Sequence, residues 1–123
     1  IAMTGCEIER GMRGLDVRHR GSGRLNLLLE RNRFVGTDYE GAWIRNRGSD
    51  ALRTTMRFTE FDRCNRGLQL DSESTPGAIT GLVVHHSAFY HSGPTCIIYA
   101  RILVDVLDDI RTECPSERID PAR

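Results

Sequence analysis

Residues 27–46 read LLLERNRFVGTDYEGAWIRN. A short alternating segment, Leu27-x-Leu29, leads to a small polar residue, Asn32. Phe34 follows two places later. A Gly- and polar-rich turn comes next, and Ala42-x-Ile44 closes the unit with a second alternating segment. Period-two alternation over a few residues reads as a half-buried strand. A helix does not fit, because Gly and β-branched residues interrupt every candidate through residue 100.

The same grammar recurs on either side. Before it stand Ile1, Met3, Cys6, Ile8, Leu15 and Val17. After it stand Thr54, Met56, Thr59, Phe61, Leu68 and Leu70, then Leu82, Val84, Ser87, Phe89, Cys96 and Ile98. The steps from Ile8 to Phe34, Phe61 and Phe89 are 26, 27 and 28 residues. Fixed-period self-similarity is the signature of a stacked repeat. Strands this short cannot bury a face alone. Each must pair with its copy one unit away, at about 4.8 Å. Inward columns then form, with Ile8, Phe34, Phe61 and Phe89 in one and Val17, Ile44, Leu70 and Ile98 in another. Cys6, Asn32, Thr59 and Ser87 mark a corner column, where small polar side chains bond turn backbone. Gly14, Gly41 and Gly67 precede the second strand of three units, where a tight turn predicts positive φ. A β-sandwich also has strands every 8–12 residues or so. Agreement of six columns across four units argues against it.

The chain has 123 residues, enough for one domain. Hydrophobic residues make up 39% and charged residues 28%, in the range of folded globular proteins. The 17 basic residues balance 17 acidic ones, so no nucleic-acid footprint is expected. No apolar run is long enough to span a bilayer as a helix. Every basic residue is Arg, with no Lys. That fits codon bias, or a surface that grips carboxylates or phosphates with planar forks. Cys6, Cys64, Cys96 and Cys114 have no zinc spacing, and no two share a column in adjacent units, so no disulfide is predicted. Cys6 and Cys96 are expected to be buried free thiols.

The stretches LLLERNRFVGTDYEGAWIRN (27–46) and MRFTEFDRCNRGLQLDS (56–72) resemble the parallel β-helix repeats of the pectin-lyase-like superfamily. The resemblance covers residues 1–100 and implies an all-β, right-handed parallel β-helix. About four full rungs are expected, at 1–23, 24–50, 51–77 and 78–100. Residues 101–123 are expected to form a partial fifth rung and a C-terminal cap or tail. Ile1 already occupies a strand position, so flanking rungs or a partner chain are expected at the open ends. IAMTGC also resembles the tail of a bacterial lipoprotein signal with Cys6 as the lipidated residue, although Met3 stands where Leu is usual.

The resemblance is unspecific for activity, since this fold hosts lyases, hydrolases, epimerases, tailspikes and adhesins. It implies a polysaccharide partner, an extracellular or cell-surface location, and Ca²⁺ as the one cofactor to consider. Family sites are built from outward residues of successive rungs. The first strands stack Thr4, Glu30, Arg57 and His85 outward. Glu30, Arg57 and His85 are the candidate catalytic set, a carboxylate, a cation and an imidazole for proton abstraction beside an acidic sugar. The same residues also read as a solvated stripe with cross-strand charge pairing. The second strands stack Asp16, Trp43 and Gln69 outward, with Arg18, Arg45, Asp71 and Tyr99 one step on. These seven are the candidate substrate-binding residues, with the sole Trp beside cations and amides suited to sugar hydroxyls. No metal-ligand set is predicted. The family's catalytic patterns do not carry over. Asp108-Asp109 is a paired aspartate, but no Gly-His-Gly or Arg-x-Lys accompanies it. Asp16 and Asp71 lie two rungs apart with Arg45 between, an incomplete acidic cluster. His85 and His86 point opposite ways on a strand end, His91 lies in the following turn, and His19 is expected in a solvated link. The runner-up function is a non-enzymatic stalk, adhesion module or self-stacking scaffold.

Overall fold

A computed structural model describes residues 1–48, 50–72, 80–90, 95–100, 103–112 and 119–122. For Thr80 and for residues 95–100, 103–107, 111–112 and 119–122 it describes the backbone alone. The described residues hold strands and turns and no helix, so no helix is long and apolar enough to cross a membrane.

The strands form three parallel sheets. The first holds β1 (Ala2–Thr4), β4 (Leu25–Glu30), β7 (Leu52–Arg57), β10 (Thr80–His85) and β13 (Leu103–Asp108). The second holds β2 (Glu7–Glu9), β5 (Arg33–Val35), β8 (Glu60–Asp62), β11 (Ala88–Tyr90) and β14 (Arg111–Thr112). The third holds β3 (Leu15–His19), β6 (Glu40–Asn46), β9 (Arg66–Ser72), β12 (Thr95–Ala100) and β15 (Ile119–Ala122). Every strand bonds the strand three elements away, a connectivity consistent with a β-solenoid. Three consecutive strands, such as β4–β6, make one layer.

The registers follow the predicted columns through most of the chain. Ile8 pairs with Phe34, Phe34 with Phe61, and Phe61 with Phe89. Val17 pairs with Ile44 and Ile44 with Leu70. The column then departs from expectation. Leu70 pairs with Tyr99 rather than Ile98, and Asp71 pairs with Ala100 rather than Tyr99. In β13 a register shift follows Val104, so Val84 pairs with Leu107.

The core lies inside the three sheets. Phe34, Phe61 and Phe89 are fully buried. Their rings stack at centroid distances of 4.9 Å, with interplanar angles of 9° and 3°. Leu29, Met56 and Val84 fill a second buried column and Ala42 and Leu68 a third. Burying each large apolar side chain contributes roughly 1.5–3 kcal/mol. Cys64 is buried and donates its thiol to Phe34 O, whereas Cys6 is exposed at its corner, contrary to expectation.

The glycines before the third-sheet strands work differently from the expectation. Neither Gly14 nor Gly41 has positive φ. A Cβ on Gly41 would lie 2.4 Å from Phe61 Cδ1, and one on Gly14 would lie 2.6 Å from Phe34 Cδ1. They leave room for the phenyl column. Positive φ falls instead mainly at two corners, at Gly5, Arg31, Phe58, His86 and Asp109 between the first and second sheets and at Arg10, Gly36 and Arg63 just after the second-sheet strands. Asn32, Thr59 and Ser87, which follow three of the first group, each bond a neighbouring layer through the side chain. Asn32 accepts from Cys6 N at 3.0 Å and donates to Met3 O at 2.8 Å. Ser87 Oγ accepts from Thr59 N at 3.4 Å and donates to His85 O at 3.0 Å. Buried backbone groups at the corner thus find partners, as they must.

Candidate functional site

The outer face of the third sheet carries the densest polar cluster. The parallel register sets Asp16 beside Trp43 and Trp43 beside Gln69. It likewise sets Arg18 beside Arg45 and Arg45 beside Asp71. Arg45, 7% exposed, reaches back one layer and donates through Nη2 to both oxygens of Asp16, at 2.7 and 2.9 Å. Arg18 joins the same carboxylate at 3.2 Å. Burial alone would raise the Asp16 carboxyl, but the bonds and charges of Arg45 and Arg18 outweigh it and hold the group below its ordinary value.

Trp43 is half-buried. Its Nε1 donates to Asp71 Oδ2 at 2.7 Å. Gln69 donates to the same oxygen at 3.2 Å. Two guanidiniums lie over the indole, Arg45 at 3.7 Å and Arg13 at 4.4 Å from the ring centroid. The ring is therefore a layer in a cation–π stack rather than a bare platform.

Three residues of this cluster escape the repeat pattern. Glu40 is buried at the start of β6. Arg13 from the preceding layer donates to it at 2.7 Å, and Arg66 from the following layer at 3.4 Å. Arg66 also reaches Gln69 at 3.4 Å. The only sequence signal for this was a carboxylate one place before the spacing glycine Gly41, with arginines about one period away on either side.

The first sheet brings the candidate catalytic residues into one outward ladder. Thr4 pairs with Glu30, Glu30 with Arg57, Arg57 with His85, and His85 with Asp108. Glu30 meets Arg57 at 3.2 Å and Arg31 at 3.0 Å. His85 Nδ1 lies 3.3 Å from Asp108 Oδ2. Base, cation and imidazole are thus neighbours along one half-buried stripe, with Glu30 and Arg57 paired to each other and the imidazole beside the Asp108 carboxylate. On the second sheet Arg33 bridges Glu7, Glu60 and Asp62 at 3.1–3.4 Å. Desolvation would lower that guanidinium's pKa, but Glu60 and Glu7 outweigh it and raise it above its ordinary value.

Tyr99 is not brought to the cluster by register, and its side chain lies outside the described residues, as does His91. His19 is half-buried rather than solvated, with Nδ1 3.0 Å from Asn46 Oδ1. The donors do not fit Ca²⁺, which takes six or more converging oxygens or thereabouts. Asp16 is bound by two guanidiniums and Asp71 by an indole and an amide. No group of three His, Cys, Asp or Glu able to hold a metal ion occurs among the described residues.

No family model, no curated protein and no solved structure matches this chain.

Proposed function

We propose that the chain is a polysaccharide-binding segment of a right-handed parallel β-helix of the pectin-lyase-like kind, of about four full turns and a partial fifth. Its outer third sheet holds an acidic polysaccharide outside the cell or at its surface. One observation carries this reading. Three carboxylates, Asp16, Glu40 and Asp71, stand among four guanidiniums, those of Arg18, Arg45, Arg13 and Arg66, and none of the four arginines is bonded to Asp71 in the contacts described above. Side chains of Arg18 and Arg66 remain 48% and 45% exposed beside Trp43 and Gln69. A uronate carboxylate suits such planar forks, and its hydroxyls suit Gln69 and Asp71. Binding is favoured over cleavage because the Asp16 carboxylate is held ionised by two arginines and Glu30 is already paired with Arg57 and Arg31.

The second reading is a structural or adhesion module with no enzymatic role. The cross-strand pairing of Glu30 with Arg57 and of His85 with Asp108 favours it. The sole Trp supplies the test. Trp43 emission is expected to respond to oligouronates and not to neutral oligosaccharides of the same length. The response should weaken with salt and in Arg66→Gln. An emission spectrum unmoved by millimolar oligouronate overturns the acidic-polysaccharide reading and leaves the structural one.

A further inference from the structure

Tyr39 stands at the corner just before β6, in the same layer as Trp43. The two rings share one cation. Arg13, from the preceding layer, lies over Tyr39 at 5.6 Å and over Trp43 at 4.4 Å from the ring centroids. Arg45 also lies over Trp43, at 3.7 Å. A planar ring has two faces. Two guanidiniums crowd the indole, whereas a single guanidinium leaves the phenol ring a face to offer. Tyr39 is 46% exposed, and its neighbour Met12 is 58% exposed. They extend the polar third-sheet cluster into an apolar corner.

This ring stands on a fixed base. Tyr39 N donates to Met12 O at 2.9 Å, and Tyr39 O accepts from Arg66 N at 2.9 Å. The corner backbone is thus laddered to the layers on both sides. Arg13 is fixed as well, by its 2.7 Å bond to buried Glu40. A platform already ordered before binding spares the ligand an entropic cost, and tyrosine has few rotamers to lose.

The groups around the ring select the ligand. Asp38 precedes it and is exposed, with no ion pair among the described residues. Glu40 follows it and is answered by Arg13 and Arg66. Arg66 opens β9 in the next layer, with its side chain 45% exposed. Asn65, just before it, is exposed too. Negative charge therefore stands toward the second sheet and positive charge toward the third. A flat apolar ligand would leave Asp38 and Arg66 unanswered. An acidic peptide brings carboxylates but no rigid apolar face. A uronate ring brings a C–H face, a carboxylate for a guanidinium fork and hydroxyls that both donate and accept. We propose that Tyr39 is the ring-stacking residue of the third-sheet site, taking the C–H face of a uronate whose carboxylate meets Arg66 and whose hydroxyls meet Asp38 and Asn65. The inference rests on the acidic-polysaccharide reading above and deepens it, moving the stacking contact from the tryptophan to a corner tyrosine. Trp43 then senses the ligand through Arg13, the cation both rings share.

Tetramers of galacturonate, mannuronate and guluronate are titrated into the full chain by calorimetry. Tetraglutamate serves as the control, with the same charge and no sugar ring. Intermolecular NOEs from the assigned Tyr39 and Trp43 ring protons locate the stack. At least one tetrauronate should bind, with NOEs from its C–H protons to Tyr39. Tyr39→Ala should weaken that binding by about tenfold, and Tyr39→Phe by less than about twofold. Neither variant should move the unfolding midpoint, because the side chain is half exposed. Tyr39→Ala binding as tightly as the parent, NOEs to Trp43 with none to Tyr39, an equal loss in Tyr39→Phe, or the same loss for tetraglutamate overturns the inference and leaves the third-sheet reading in place. No binding of any tetrauronate to the parent overturns both.

Discussion

Gly41→Ala tests the reason the repeat keeps a glycine before its third-sheet strands. The added Cβ would meet Phe61 Cδ1 at 2.4 Å, Phe61 Cε1 at 2.9 Å and Gly67 O at 2.9 Å. Carbon atoms in contact prefer about 3.5–4.0 Å, so the deepest overlap is about 1 Å. Phe61 cannot yield along the column, because Phe34 and Phe89 stack on it at 4.9 Å on both sides. Gly67 O belongs to the next strand of the sheet and is held as firmly. Overpacking of this kind costs about 1–3 kcal/mol. Loss of unfolded-chain freedom offsets about 0.4–1 kcal/mol of that. The net expectation is a destabilisation of about 1–2 kcal/mol, read as a lower urea midpoint at constant m-value.

A second background isolates the ring. Phe61→Ala alone should cost about 3–5 kcal/mol. It also removes two of the three close contacts, so Gly41→Ala should cost at least ~1 kcal/mol less there, a coupling in the usual range for touching residues. A Gly41→Ala chain as stable as the parent would refute the close-approach account. Strict additivity with Phe61→Ala would show that the ring is not what the methyl meets.

Two further expectations follow, one from a buried hydroxyl and one from a paired carboxylate. Thr54 is 1% exposed, and its Oγ1 has no hydrogen-bond partner among the described residues, between Leu27 and Leu82 in its column. Thr54→Val keeps the shape and removes the unpaired hydroxyl, so the urea midpoint should rise by the equivalent of about 1 kcal/mol; a fall would mean the hydroxyl has a partner. Asp16 is held below its ordinary value of 3.8, so its contribution is fully present above that pH and lost as pH falls through the lowered folded value. Asp16→Asn should be less stable than the parent at neutral pH, with the gap closing on acidification below about pH 3.8; a gap independent of pH would exclude the carboxylate as its source.

Much of the fold is legible because inward residues set parallel register. Ile8, Phe34, Phe61 and Phe89 recur at nearly even spacing, so spacing alone aligns them. The alignment slips in β12, where Cys96, Ile97, Ile98, Tyr99 and Ala100 run without alternation. A step of 28 or 29 residues sets an apolar residue opposite Leu70 equally well, and the chain takes 29. Corner geometry was hidden for another reason. Positive φ usually announces itself as glycine, yet Arg31, Phe58, His86 and Asp109 adopt it. Their side chains stack outward, which is why the Phe58–His86 ring contact left no trace in the spacing. In the third-sheet cluster, Asp16, Trp43, Arg45 and Gln69 followed from outward alternation. Arg13, Glu40 and Arg66 did not, because they sit before or at the first residue of the third-sheet strands, ahead of the alternation read from the sequence.

The connectivity also governs how the chain finds its fold. Bonded strands are separated by similar stretches of sequence, from 22 residues between Ile97 and Ile119 to 29 between Leu70 and Tyr99. Against a chain of 123 residues that separation gives a relative contact order of about 0.2, in the slow, ms–s range for small β proteins. Closing a loop of that length costs about 3 kcal/mol beyond a constant. The cost is the same for every added layer, because each pairs only with its neighbour. The slow event is therefore the first docking of two layers. Later layers grow from that nucleus at a length-independent pace, as in a one-dimensional zipper.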